Sequence, residues 1–367
     1  MAFVLSMQMV GACSQSASAA SGAGALPVKK TEFTIHRGVN ISQWLYVTGK
    51  NACTMEEHEF QQLKDWGFDF IRLPIGEVPL FHDDGTLNAD TLQLLEDALR
   101  WCQKYDLRVV LDLHITRSHE YIVGYRPLFN SEADQQRLCA MWTTLTRRLK
   151  EYPADFMAFE ILNEPAADTD EQWNAVARKV VRAIRALDKE RVIVLSCNKW
   201  ADVRTLPSLW VPENDPNVML TFHFYEPMLL THYLAAWRDD YKVQLSGVKY
   251  PGQPVSDEEF ASLAESDKCW IAPYMSVYNK DWMHEYWRAA VDFARAKGVP
   301  LYLGEFGCLP SVGEKARLNW VRDVVALCEE YGIPRSSWEY KSAFGFCGWR
   351  DGKLKNEALL KALMNDE

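Results

Sequence analysis

From Phe33 onward, short apolar runs of strand length alternate with longer stretches whose apolar positions recur at helical spacing. The strand-like runs fall at Arg37 to Asn40, Phe68 to Pro74, Arg108 to His114, Phe156 to Asn163, Arg191 to Cys197, Val218 to Tyr225, Leu301 to Gly304 and Ser336 to Tyr340. Between them, Leu92, Leu95, Leu99 and Cys102 form one helical stripe, and Trp173, Val176, Val180, Ile184 and Leu187 form another. Thr54 with Glu57, Thr169 with Gln172, and Ser311 with Glu314 have the spacing of capping boxes, while Gly67, Gly298 and Gly332 stand where helices should stop. The pattern predicts eight strands and eight helices in alternation.

Strands that alternate with helices are parallel and joined by right-handed crossovers, and eight such units close a (β/α)8 TIM barrel. An open doubly wound sheet is the alternative, disfavoured because no strand is followed by a G-x-G-x-x-G turn. Barrels of this type run from about 200 to over 400 residues as one domain, so residues 33–367 form a single catalytic-size unit. The stretch from Glu226 to Glu285 breaks the regular spacing. A loop of that length, leaving the end of the sixth strand, should build one wall of a cleft.

Period-two reading of each strand shows which side chains share a face with its last polar residue. Phe70 pairs with Arg72, Asp112 with His114, Thr221 with His223 and Tyr225, Leu301 and Leu303 with Glu305, and Ser336 with Trp338 and Tyr340. FMAFEILNEP, from Phe156 to Pro165, is an apolar strand that finishes on Asn163 and Glu164. In a barrel these ends meet at the C-terminal rim, where Arg72, His114, Asn163, Glu164, His223, Tyr225, Glu305 and Trp338 would gather. Two carboxylates there, Glu164 and Glu305, suit glycoside hydrolysis, one as a protonated acid and the other as an ionised nucleophile. Arg72 and the Tyr225 hydroxyl would stabilise an ionised Glu305, Asn163 would reach a sugar 2-hydroxyl, and Trp338 would offer a stacking face. Asp112 and Glu160, deeper in their strands, would balance Arg72 inside the barrel. His114 and His119 do not have metal-ligand spacing on one element, so no metal is expected.

Composition sharpens this picture. Aromatic residues make up 12% of the chain, with 14 Trp, which suits ligands having a C–H face and a hydroxyl rim. Trp66, Trp142 and Trp173 lie on helix stripes and read as core, whereas Trp44, Trp200, Trp210, Trp270 and Trp338 lie in or beside rim loops. A net charge of -10 without a basic stripe excludes nucleic acid as a partner. The nine cysteines lack C-x-x-C spacing, and Cys102, Cys139 and Cys328 fall on apolar helix stripes. Residues 1–13 hold an apolar run, and Val10 to Cys13 resembles the lipobox of bacterial lipoproteins, with residues 14–32 as a flexible tether. The expectation is export to the periplasm or cell surface with a lipid on Cys13 as the only membrane attachment; a tail with an incidental cysteine is the alternative.

RLP at Arg72, DLH at His114, LNEP at Glu164, HFYEP at His223, GEFG at Glu305 and SWEY at Trp338 stand in this order along the chain. In these six motifs, from Arg37 to about Phe346, the sequence resembles glycoside hydrolase family 5, retaining enzymes whose acid/base and nucleophile end the fourth and seventh strands. The resemblance implies Glu164 as acid/base, Glu305 as nucleophile, and Arg72, His114, Asn163, His223, Tyr225 and Trp338 as the supporting shell. It implies no metal or cofactor. HFYEPMLLTHY and the Asn198 to Trp200 stretch look closest to the cellulase-like branch, with Trp200 as a subsite aromatic and a β-1,4-glucan as substrate. Ile115, after His114, departs from many endoglucanases, which carry a second polar residue there. Mannanase, lichenase or xyloglucanase activity, or a non-catalytic sugar-binding lipoprotein, remain alternatives, and a monomer is expected.

Overall fold

Eight parallel strands close on themselves in chain order: β1 (Arg37–Asn40), β2 (Phe70–Gly76), β3 (Arg108–Ile115), β4 (Met157–Glu160), β5 (Ile193–Ser196), β6 (Val218–Phe224), β7 (Leu301–Phe306) and β8 (Arg335–Ser337), with β8 pairing back onto β1. This is the expected (β/α)8 barrel. The computed structural model describes residues 30–366 apart from 50–51, 121–123 and 239–242. The lipobox-like segment with Cys13, and most of the tether, lie outside the described residues.

Each strand is buried on both faces, because the alternation separates two cores. Ile71, Leu73, Val109, Leu111, Phe159, Ile193, Leu220 and Phe222 face the surrounding helices. Phe33, Ile35, Phe70, Val110, Ala158, Val192, Val194, Met219 and Tyr302 fill the lower interior of the barrel. Gly38 is required there, since a Cβ on it would stand 2.3 Å from the Phe70 ring. The helical tryptophans tie the two shells together: the indole N–H of Trp142 donates to the Ile161 carbonyl at 2.9 Å, and that of Trp173 to Ser196 at 2.8 Å.

Helix signals held in part. Thr169 and Gln172 form the expected capping box, and Gly298 and Gly332 end their helices in the left-handed conformation. At Glu57–Asp65 the box is instead Glu56 with Glu59, two residues beyond the Thr54–Glu57 pair. Ser311 does not cap: a 3-10 turn occupies Pro310–Val312, Gly313 is the N-cap, and the Ser311 hydroxyl donates to the Tyr233 carbonyl. Leu187 falls past the end of its helix at Arg185 and is exposed. A long helix follows every strand but the fifth: the β5–β6 crossover holds only the four-residue helix Asn198–Ala201 and a 3-10 segment, Val203–Ser208, that contains Pro207. Pro207 has no backbone N–H to give and its ring clashes with the preceding turn, which stops a long helix from running through it.

Three strand readings are corrected. β4 stops at Glu160, so Asn163 and Glu164 lie three and four residues beyond its end. In β7, Leu303 pairs with Phe222 but Glu305 pairs with His223, so Gly304 is skipped in a bulge. Leu301 and Leu303 therefore face the helices while Glu305 turns inward; they do not share a face. β8 ends at Ser337, and Tyr340 is buried in the outer shell against Phe346. Among the described residues no helix is long and apolar enough to cross a membrane. Their cysteines are all free thiols, with Cys102 and Cys328 buried and Cys139 partly so.

Candidate active site

Arg72, on β2 and fully buried, is the hub of the upper barrel. Its Nε and Nη2 donate to both oxygens of Glu160 at 2.8 Å, Nη2 also to Asn163 Oδ1 at 2.8 Å, and Nη1 to Asn40 Oδ1 at 3.0 Å and Glu305 Oε1 at 2.7 Å. Asp112 approaches Nη2 at 3.1 Å. A planar guanidinium with five fixed donors can hold this many acceptors in one plane. Asp112 and Glu160 thus sit below the rim and balance Arg72, as expected. Asp112 also meets His114 Nδ1 at 2.6 Å. Burial raises the Asp112 carboxyl to about 7 against the pull of Arg72, and burial lowers the His114 imidazole to about 3, so His114 is neutral.

Glu305 receives Arg72 on one oxygen and the Tyr225 hydroxyl on the other, at 2.8 Å. Glu164 has a different neighbour: its Oε1 lies 3.0 Å from His223 Nδ1, which is itself 3.5 Å from Glu305 Oε2. One oxygen of each carboxylate and a ring nitrogen of His223 lie within 4.8 Å of one another. This is the one such cluster among the described residues with donor atoms close enough for a metal ion, and Arg72 already places a positive charge against it.

Glu305 is buried and Glu164 largely so, with 13% of its side chain exposed, and removal from water raises both carboxyls. Glu164 is held well above the usual carboxylate range, by burial and then by the charge of Glu305. Glu305 is raised less, because Arg72, His114 and the Tyr225 hydroxyl oppose burial. The first proton therefore leaves Glu305, and Glu164 keeps its own. His223 is held well below its ordinary value by burial, then by Arg72 and His114, so it is neutral beside the pair.

Local structure aims these groups. Past β4, the Asn163 amide donates to the Leu113 carbonyl at 3.0 Å, and Glu164 adopts a left-handed φ of 43°. With Asn163 Oδ1 taken by Arg72, its buried Nδ2 has no protein partner and is a donor open to a ligand hydroxyl. At the β7 bulge, a Cβ on Gly304 would come 2.7 Å from Thr221 Oγ1 and 3.1 Å from His223 Nε2. Glycine lets β7 pass close to His223 and bend Glu305 inward.

Trp338 is half-buried and stacks on His114, with ring centroids 5.4 Å apart and planes within 6°. Trp200 lies apart from this cluster, 45% exposed, with Arg126 over its ring at 5.3 Å. Lys199, Trp200 and Ala201 all have positive φ, a left-handed turn that projects the indole outward. Of the other rim tryptophans, Trp44 is instead core, packed on Phe60, and Trp270 is half exposed. Sequence reasoning missed Asn40, whose position at the end of β1 carried the same signal as the other strand ends. It also missed Tyr46, whose ring lies 4.5 Å from His114, and Glu339, buried next to Trp338. Both follow strand ends in irregular chain, where no period marks them.

A closed parallel barrel with a buried carboxylate pair at its C-terminal rim defines a barrel glycoside hydrolase. The chain belongs to the cellulase family, glycosyl hydrolase family 5, whose model matches residues 28–344. Endoglucanase C of Acetivibrio thermocellus is 30% identical over 318 residues, covering 84% of this chain and 90% of that protein. Cellodextrinase A of Ruminococcus flavefaciens is 28% identical over 313 residues, covering 82% and 84%. In fold, the chain is similar to Thermotoga maritima Cel5A solved with cellobiose, at a TM-score of 0.72 and 24% identity, covering 90% of this chain and 97% of that one.

Proposed function

We propose that this hydrolase is a retaining, endo-acting β-glycanase that cleaves a β-1,4-linked glucan through a glycosyl-enzyme intermediate. The observation that carries retention is the short gap between the carboxylates: an oxygen of each lies within 4.8 Å. Retaining enzymes place the two groups about 5–5.5 Å apart, whereas inversion needs roughly 6.5–9.5 Å to admit a water between carboxylate and sugar. Glu305, the first to ionise, attacks the anomeric carbon as the bond to the leaving oxygen breaks and Glu164 gives that oxygen its proton. Water then adds to the same carbon, giving its proton to Glu164 and releasing Glu305. Arg72 and the Tyr225 hydroxyl hold Glu305 with one lone pair toward the sugar, and Asn163 Nδ2 donates to the 2-hydroxyl as the oxocarbenium character develops. The Trp338 face and the exposed Trp200 suit stacking on sugar rings at either side.

The names of the relatives, an endoglucanase and a cellodextrinase, support a glucan as the polymer. A reducing-sugar assay on carboxymethyl cellulose, barley glucan, glucomannan and xyloglucan tests this: release from the first two exceeding the others is expected. Preference for mannan or xyloglucan would reassign the substrate, and no activity on any would sink the enzyme reading in favour of a sugar-binding role. Proton NMR of the first-formed anomer tests retention. Lipid anchoring through Cys13 rests on the sequence of residues 10–13, and metabolic labelling with a lipid analogue, with Cys13 and with Cys13→Ala, tests it.

A further inference from the structure

The chain that follows the fourth strand has no ladder of its own from Glu164 to Asp168, yet each of its five carbonyls accepts a hydrogen bond from a neighbouring loop. His119 Nε2 meets the Glu164 carbonyl at 3.0 Å, the Trp200 amide meets Pro165 at 3.0 Å, and Arg126 Nη1 meets Ala166 at 2.7 Å. Lys199 Nζ bridges the carbonyls of Ala167 and Asp168 at 2.9 and 3.0 Å, and Asn198 pairs with both the amide and the carbonyl of Ala167. The segment is thus clamped from the β3 side by His119 and Arg126 and from the β5 side by residues 198–200.

His119 holds the residue that matters most. Glu164 is a non-glycine residue with φ of 43°, a strained conformation that persists only where the surroundings impose it. His119 is fully buried in a tight turn whose backbone pairs with Thr116 in both directions, and its ring meets Phe129 edge to face at 5.3 Å. A carbonyl oxygen only accepts, so Nε2 carries the proton. Burial lowers this imidazole to about 4, so the ring is neutral while Glu164 is working. The spacing that first set His119 beside His114 therefore serves the backbone of Glu164.

We propose that His119 is a positioning residue for the acid/base: its Nε2–H fixes the Glu164 carbonyl and with it the left-handed backbone that turns the Glu164 carboxyl toward Glu305. This rests on the assignment of Glu164 as acid/base above. An acid displaced by an ångström loses up to about 100-fold in rate, but only where a proton is needed. Dinitrophenyl β-cellobioside has a leaving group that departs unprotonated, and phenyl β-cellobioside has one that needs the proton. His119→Phe and His119→Leu, which remove the donor, should lower kcat/KM for the phenyl substrate about 10- to 100-fold and for the dinitrophenyl substrate less than about threefold. His119→Gln, which restores an N–H donor, should recover most of the loss. Equal losses on the two substrates in folded variants, or no loss on either, would overturn the proposal. Wild-type protein that cleaves neither substrate would bring down the functional reading itself, whereas active wild type with indifferent His119 variants brings down this inference alone.

Discussion

The lower and upper halves of the barrel interior are built by the same strands, two residues apart on the same face, and they differ in almost every physical respect. Phe70 lies below Arg72, Val110 below Asp112, and Ala158 below Glu160. The lower layer is apolar and closed from beneath by Phe33 and Ile35, and removal of its surface from water stabilises it at about 25 cal/mol per Å². The upper layer buries Arg72 against Asp112, Glu160 and Glu305. Bringing such charges out of water costs several kcal/mol per ion, which their mutual attraction offsets at best, so this layer is a poor device for stability. One alternation thus carries packing at one end and chemistry at the other.

Exchanging the properties of the two halves is the way to test that division. The largest effect is expected at the rim: Glu305→Gln and Glu164→Gln should each lower turnover on soluble glucan by at least ~10³-fold. The thermal midpoint of Glu164→Gln should stay near wild type, since Glu164 already holds a proton, whereas that of Glu305→Gln should fall, since Arg72 loses an ionised partner. A variant that keeps more than a tenth of wild-type turnover would remove that residue from the mechanism. Below the rim the consequences should invert. Phe70→Ala should cost about 3–5 kcal/mol in urea unfolding while the folded protein keeps its kcat, because the cavity opens beneath Arg72 and away from substrate. Loss of kcat on the scale of the Glu305 variant would mean that the two layers are not separable.

Glu160→Gln lies on the boundary. It removes one of the charges that compensate Arg72 but leaves a side chain of the same shape, so a loss of about 2–3 kcal/mol in stability is expected, with turnover reduced far less than at Glu164. Turnover lost as completely as in the Glu164 variant, in folded protein, would show that Glu160 is the carboxylate that reacts.

The barrel was legible in the sequence because strands buried on both faces, such as β2, β3 and β6, read as short apolar runs between stretches of helical period, in which an isolated polar residue stands out. Arg72, His114 and His223 were legible for the same reason. Glu305 was placed at the rim by a parity that does not hold: the Gly304 bulge resets it, and only the motif, not the period, pointed inward. The period likewise carries Asn163 and Glu164 on as strand residues, although β4 ends at Glu160: the Ile161 and Asn163 amides still reach Val194 of β5 and Leu113 of β3, and the Glu164 carbonyl is held by a loop contact from His119. Such contacts join residues distant in sequence, as with His119 and Glu164, and leave no periodic trace. Glu339 shows the same limit, since its partner Ser42 lies at the other end of the chain.

Glu339 also supplies the smallest effect that still divides the two halves. Its carboxyl is 3% exposed and accepts from the Ser42 hydroxyl and from the Phe344 amide at 3.4 Å. Burial raises it from 4.5 to about 8; the Ser42 and Phe344 hydrogen bonds oppose that rise, the charge of Glu305 adds to it, and a Ser342 hydrogen bond opposes it again. For an acid whose folded pKa is raised, the folded state holds the extra proton. Its contribution to stability is complete below the unfolded value near 4.5 and is lost as the pH rises toward about 8. The slope from one such group is at most about 1.4 kcal/mol per pH unit. Unfolding free energies measured across this range should therefore fall more steeply for wild type than for Glu339→Gln, while Asp112, Glu160, Glu164 and Glu305, also raised, titrate in both proteins. Phe70→Leu, in the half that holds no carboxylate, should shift the whole curve without changing its slope. Parallel curves for wild type and Glu339→Gln would place the pH dependence elsewhere in the upper layer, and a changed slope in Phe70→Leu would show that packing below the rim sets the protonation above it.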